Sequence, residues 1–214
     1  MTVKTGKTGK NINLDKTTEQ RILQSAKNIF HRKGLGGARM QEIADDAGIN
    51  KAMLHYYFRS KEKMFNAVFE DALNKFLPKV KELLNVELPL FRKIEYFVEN
   101  YISHLLENTY LPFFIIYEIN QNPDKISKLL LNKADLSPGI FIKQISNAIE
   151  KKIIDRIDPR QLMINMISMC IFPFLWKPII MKVFGMSEKG FKDFIELRKK
   201  EIPRFIINSI KKKK

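Results

Sequence analysis

Residues 38–65 read ARMQEIADDAGINKAMLHYYFRSKEKMF, and the fold class turns on this stretch. Helical spacing places Met40, Ile43, Ala44 and Ala47 on one inward face before Gly48, and Leu54, Tyr57 and Phe58 on a second face after it. Two short helices joined by a glycine turn need a small residue near their crossing, apolar residues on the facing sides and a polar outer face on the second helix. Ala44, Ala47 and Gly48 supply the first requirement; Ile43, Ile49 and Leu54 supply the second. Asn50 has the short side-chain oxygen that suits an N-cap, and Ser60 suits the same role one helix later. Such a unit can lay its second helix in the major groove of a duplex, with the first turn against base edges.

Outward from this stretch the pattern stays helical. Thr17 and Gln20 have capping-box spacing and lead into Ile22, Ala26, Ile29 and Phe30 on one face, with Gly34 as the residue that ends the helix. The helix capped by Ser60 carries Met64, Phe65, Val68, Phe69, Ala72 and Phe76, and Pro78 is expected to kink or end it. Ile94, Val98, Tyr101 and Leu105 form one stripe, and a very apolar helix follows over Pro112–Ile119. Ser137-Pro138 and Asp158-Pro159 each place a cap residue before a proline at the first helical position. The last helix is predicted to begin near Ser187 and to carry Phe191, Phe194, Ile195, Ile202, Phe205 and Ile206. With no β-hairpin signal, the expected fold is all-α: a three-helix helix-turn-helix domain over 17–62, preceded by a basic disordered arm over 1–16 and followed by a larger helical domain over 63–214.

Composition bounds the partners. Thirty-eight Lys and Arg against 23 acidic residues give a formal charge of +15, which favours DNA, RNA or an anionic membrane surface. Residues 1–64 hold 13 basic and 6 acidic side chains, so about half of the excess lies near the quoted stretch. One cysteine, Cys170, excludes a disulfide framework, and with no apolar block after MTVKTGKTGK a cytoplasmic setting is expected. The apolar stretch from Leu162 to Ile180 contains Asn165, Pro173, Lys177 and Pro178 and reads as a buried helix, so no membrane span is expected. The chain offers no Ser/His/Asp or Cys/His arrangement and no phosphate-cradling loop, so an enzyme is not expected. His31, His55 and His104 lack ligand spacing, and neither a metal nor a cofactor is implied.

The run I-A-x-x-A-G-I-N-K-A-x-L-H-Y-Y-F-x-S-K-E at 43–62 resembles the signature of the tetracycline-repressor (TetR) family of one-component transcriptional regulators, and IIDRIDPRQL at 153–162 resembles the family's run into its first dimer helix. Two departures bear on base readout: Arg39 stands where Thr or Ser usually caps the first motif helix, and Met53 and His55 stand where a small or hydroxylic residue and Tyr are usual. The resemblance implies that Arg39, Met40 and Gln41 meet a phosphate or a groove edge. It implies that Asn50, Lys51, Ala52 and Met53 open the reading helix, with Lys51 facing guanine acceptors and Ala52 and Met53 facing a thymine methyl. His55, Tyr56 and Lys61 are implied phosphate contacts. The lysines at 4, 7, 10 and 16 would form an arm for an adjacent minor groove or add electrostatic attraction.

For the larger domain the expectations are a homodimer and a small-molecule effector. The helices near 159–184 and 187–210 are long and apolar enough to form a shared interface. Tyr96, Tyr101 and His104 could be the polar anchors of a pocket. Phe113, Phe114 and Tyr117, with Phe141, Met166, Phe172 and Trp176, would be its apolar walls, an arrangement that suits a solid core equally well. The expected function is a sequence-specific DNA-binding regulator, a repressor released from a palindromic operator by an apolar or aromatic effector. The alternatives are an effector-independent dimeric DNA binder of the same fold and a basic membrane-surface protein.

Overall fold

Helical patterning along the chain leaves little room for sheet. The computed structural model describes residues 8–109, 111–128 and 139–212, and its regular structure is helical apart from one antiparallel bridge between Ile154 and Lys211. The described residues fall into two units, Met1–Leu73 and Asn74–Lys214.

The first unit holds α1 (Thr8–Gly37), α2 (Met40–Asp46), α3 (Lys51–Tyr57) and the opening turns of α4 (Lys61–Asn85). Its core is built from Ile22, Ala26, Ile29 and Phe30 of α1, Ile43 and Ala44 of α2, Leu54 of α3, and Met64, Phe65, Val68 and Phe69 of α4, all buried. Phe30 and Phe65 meet edge to face with ring centroids 5.3 Å apart. The opening turns of α4 supply so much of this core that the unit ends between Leu73 and Asn74 rather than at residue 62. Gly34 sits at φ +66°, a left-handed conformation that kinks α1 where its end was expected. Residues 8–16, expected as a disordered arm, lie within α1. No proline or glycine interrupts the chain from Lys10 to Lys33, and extending an existing helix costs far less than starting one. Residues 1–7 lie outside the described residues, Lys4 and Lys7 among them.

The second unit contains α5 (Leu90–Glu107), α6 (Leu111–Gln121), α7 (Pro123–Lys128), α8 (Gly139–Glu150), α9 (Pro159–Leu175), α10 (Lys177–Val183) and α11 (Glu188–Ile210). Helix α5 buries the expected stripe of Ile94, Val98, Tyr101 and Leu105, together with Phe97 and Ile102, and packs against α8, α9 and α11. Asp158 caps α9 by accepting from the Arg160 amide at 2.8 Å, and Ser187 caps α11 by accepting from the Gly190 amide at 3.1 Å. Asp155 N–H donates to the Ile210 carbonyl at 2.8 Å, tying the chain before α9 to the end of α11.

Two expectations change. Of the kink or end expected at Pro78, the end does not occur: helix α4 runs through Pro78 to Asn85, with Pro78 exposed and Leu77, Val80, Leu83 and Leu84 buried. Their burial offsets the lost backbone hydrogen bond. The segment near 159–184 is two helices, α9 and α10, bent by 72° at Trp176. Pro178 brings no N–H to continue the α9 ladder and sits in the first turn of α10, where no such donor is needed. No single helix among the described residues is long and apolar enough to cross a membrane. Ser137-Pro138 lies outside the described residues.

Candidate nucleic-acid interface

The turn between α2 and α3 is built by backbone geometry. Gly48 sits at φ +65°, where a side chain would be strained, and the amides of Ala47, Gly48 and Ile49 return to the carbonyls of Ile43, Asp45 and Ala44 at 3.0–3.1 Å. Asn50 is extended, and its Oδ1 accepts from the Met53 amide at 2.7 Å, setting the first turn of α3. Leu54 and Phe58 are buried and fix which way the helix rolls. Lys51, Ala52, Met53, His55 and Tyr56 therefore face outward together, with Tyr56 79% exposed. Tyr57 is half-buried and meets Tyr56 edge to face at 5.5 Å. Replacing Asn50 with alanine is expected to cost about 1 kcal/mol of stability in denaturant unfolding and to speed exchange of the Met53 amide, because the cap supplies the acceptor for that orphan donor.

The entry to α2 is arranged differently. Arg39 occupies the N-cap with extended backbone and no side-chain cap bond. Arg39 and Gln41 are exposed and Met40 is half-buried; Gln41 Nε2 donates to Asp45 Oδ1 at 2.7 Å. Lys33 donates to Glu42 Oε1 at 2.7 Å, and the Lys33 ammonium, aided by the Arg39 amide, holds the Glu42 carboxyl below its usual range. Lys61, an implied phosphate contact, is half-buried and donates to the Ala38 carbonyl at 3.2 Å. Ala38 is buried, so leaving that carbonyl unmet would cost about 1–3 kcal/mol. Lys33 and Glu42 escaped the sequence reading, although Glu42 stands three residues after Arg39 at the spacing of a capping-box glutamate. Arg59 and Lys63 are further exposed cations beside α3.

In the second unit the ten residues named for a pocket differ in exposure. Tyr101, Phe114, Phe141 and Met166 are buried, Tyr96 and His104 are half-buried, and Phe113, Tyr117, Phe172 and Trp176 are exposed. Tyr101 stacks on Phe97 at 5.1 Å and meets Phe76 at 5.6 Å, and burial pushes its phenol above the usual range. Phe172 and Trp176 stack on each other at 5.3 Å on the outer side of α9. His104 Nδ1 lies 3.4 Å from Lys79 Nζ and 3.6 Å from Glu107 Oε2. Tyr96 lines an open groove of about 740 Å³ with Arg92, Glu99, Lys199, Arg204 and Ile207. Lys93, a buried cation that helical patterning alone does not single out, donates to the Leu84 carbonyl at 3.2 Å and lies 5.8 Å from the Phe141 ring centroid; burial lowers its pKa. Cys170 is buried, which pushes its thiol up to about 12 and leaves it protonated and inert.

Residues 22–68 match the family described as bacterial regulatory proteins, tetR family, a span that begins at core residue Ile22 and ends at core residue Val68. Among curated proteins, the HTH-type transcriptional repressor NicS of Pseudomonas putida is 31% identical over 106 residues, which is 48% of this chain and 50% of NicS. The chain thus spans about half the length of that relative. Among solved structures, the TetR family transcriptional regulator PfmR from Thermus thermophilus superposes with a TM-score of 0.64 at 20% identity, covering 86% of this chain and 97% of PfmR. The transcriptional regulator FadR from Bacillus subtilis, in complex with stearoyl-CoA, superposes with a TM-score of 0.60 at 15% identity, covering 88% and 97%. At these identities the likeness establishes a common all-α fold.

Proposed function

We propose that this chain, whose residues 22–68 match the tetR family of bacterial regulatory proteins, is a sequence-specific DNA-binding transcriptional repressor that acts as a homodimer on a palindromic operator. The observation that carries this reading is the outer face of α3, where Lys51, Ala52, Met53, His55 and Tyr56 stand exposed over a helix anchored by buried Leu54 and capped by Asn50. A helix presented this way offers a cation for guanine acceptors, apolar groups for a thymine methyl and polar tips for phosphates.

Dimer formation is supported by large apolar side chains left exposed along α9, α10 and α11: Phe172, Trp176, Ile179, Val183, Leu197 and Phe205. Large apolar side chains left uncovered on neighbouring helices are the kind of surface that a second chain covers. A small apolar or aromatic effector would act on the second unit by favouring a conformer with a different spacing of the two reading helices. That a solved relative of this fold holds stearoyl-CoA supports an amphipathic acyl ligand as the first to try. The burial of Tyr101, Phe114, Phe141 and Met166 favours a second reading, in which that region is solid core and the protein binds its operator without an effector.

Selection of bound duplexes from a random pool tests the function directly. The expected product is an inverted repeat whose half-sites lie about 34–36 Å apart, one helical turn. Recovery of a single unrepeated site, or of no enriched sequence, would count against a symmetric DNA reader.

A further inference from the structure

We propose that Lys33, Glu42 and Lys61 form a clamp that positions the entry of α2, and that Lys61 contributes to operator binding through the Ala38 carbonyl instead of by neutralising a phosphate. The proposal rests on the DNA-binding reading above for its functional half only.

Helix α2 has seven residues, too few to hold its own geometry in water, and its N-cap residue Arg39 brings no side-chain acceptor to the orphan amides of the first turn. Only Ala38 and Arg39 join α1 to α2, so the geometry of the entry is set within these two residues and the groups that hold them. Two lysines from flanking helices act on the short segment 38–42. Lys33, near the end of α1, takes Glu42 Oε1 at 2.7 Å, and Lys61, the first residue of α4, takes the Ala38 carbonyl at 3.2 Å. Ala38 is only 2% exposed, so water is a poor substitute for the ammonium at that carbonyl. The Lys61 stem is half-buried and its ammonium is already turned toward the Ala38 carbonyl, so a phosphate would have to share the ammonium with that carbonyl or draw it away. Loss of either lysine would loosen Arg39, Met40 and Gln41, the residues placed to meet the duplex, without removing any group that touches it. Lys61 is a positioning residue on this reading.

The full chain with Lys61→Met and, separately, with Glu42→Gln separates the possibilities. Two readouts are taken: hydrogen exchange of α2 amides in free protein, and operator affinity across a salt series. Lys61→Met is expected to speed α2 exchange about fivefold and weaken operator binding about tenfold at every salt concentration, with the slope of log K against log salt unchanged. Glu42→Gln removes a negative charge, so electrostatics alone would tighten DNA binding; the clamp requires weaker binding, by about threefold. A Lys61→Met slope shallower by about 1.8, with α2 exchange unaltered, would identify one lost phosphate contact in each subunit of the dimer and overturn the proposal. Tighter operator binding by Glu42→Gln would overturn it as well. Should Lys61→Met fail to fold, Lys33→Met gives the same two readouts. If the unmodified protein binds no DNA, the proposed function falls, and α2 exchange alone decides the clamp.

Discussion

Operator affinity is expected to fall about 10⁴-fold between 50 and 200 mM salt, the steepest response predicted for this protein. A symmetric pair of reading heads that neutralises about eight phosphates gives a slope near −7 in log K against log salt, because each neutralised phosphate releases condensed counterion. The cations available are Arg39, Lys51, Arg59 and Lys63, all exposed on the first unit, with the +15 charge of the whole chain behind them. The measurement is fluorescence anisotropy of a labelled operator titrated at four or more salt concentrations, with a scrambled duplex for comparison. A slope shallower than about −3 would mean that few phosphates are engaged and that the exposed face of α3 has another partner.

Replacing Phe30 with alanine is expected to cost about 3–5 kcal/mol, from lost transfer free energy and the cavity left behind. Phe30 is 2% exposed and set edge to face against Phe65, and Ile22, Met64 and Phe69 around the same core are fully buried, so the vacated volume has little freedom to collapse. The first unit spans only Met1–Leu73, and at about 0.05–0.15 kcal/mol per residue a domain of that size carries about 4–11 kcal/mol, so the loss removes a large part of it. In denaturant unfolding the variant should lose the transition of the first unit in water or close to it, and operator binding with it. Tyr56→Ala is the matched control. Tyr56 is exposed, so stability should stay within about 0.5 kcal/mol of the parent while operator affinity drops. Equal losses of stability in the two variants would show that the core described around Phe30 does not hold the unit together.

Much of the helical framework was legible because its signals are local. Asn50, Ser60, Asp158 and Ser187 act on amides two or three residues away, and all four side chains accept the bond that capping chemistry predicts. Gly34 and Gly48 take the left-handed backbone that a helix end demands. The inward faces of α1, α3 and α5 follow the 3.6-residue period: the marked residues of α1 and α5 are buried, α5 adds Phe97 and Ile102, and on α3 Leu54 is buried while Tyr57 is half-buried. Each inference needed only one turn of chain on either side.

The rest required neighbours that are remote in sequence. Periodicity marks Phe113, Phe114, Tyr117, Phe141, Phe172 and Trp176 alike as apolar, yet Phe114 and Phe141 are covered by other helices while Phe113, Tyr117, Phe172 and Trp176 are not. Whether α4 would stop at Pro78 depended on the burial of Leu77, Val80, Leu83 and Leu84, and that burial offsets the missing bond. Lys61 looks like any lysine at a helix start until the fold brings the carbonyl of Ala38, 23 residues earlier, to 3.2 Å from its ammonium. Sequence by itself determined the helical class, the caps at Asn50, Ser60, Asp158 and Ser187 and the face that α3 turns outward, because hydrogen bonds and side-chain spacing within a helix are set by residues up to four positions apart. Tertiary structure alone decided which apolar side chains are covered and which cations are already engaged, because both depend on the surfaces that distant segments bring together.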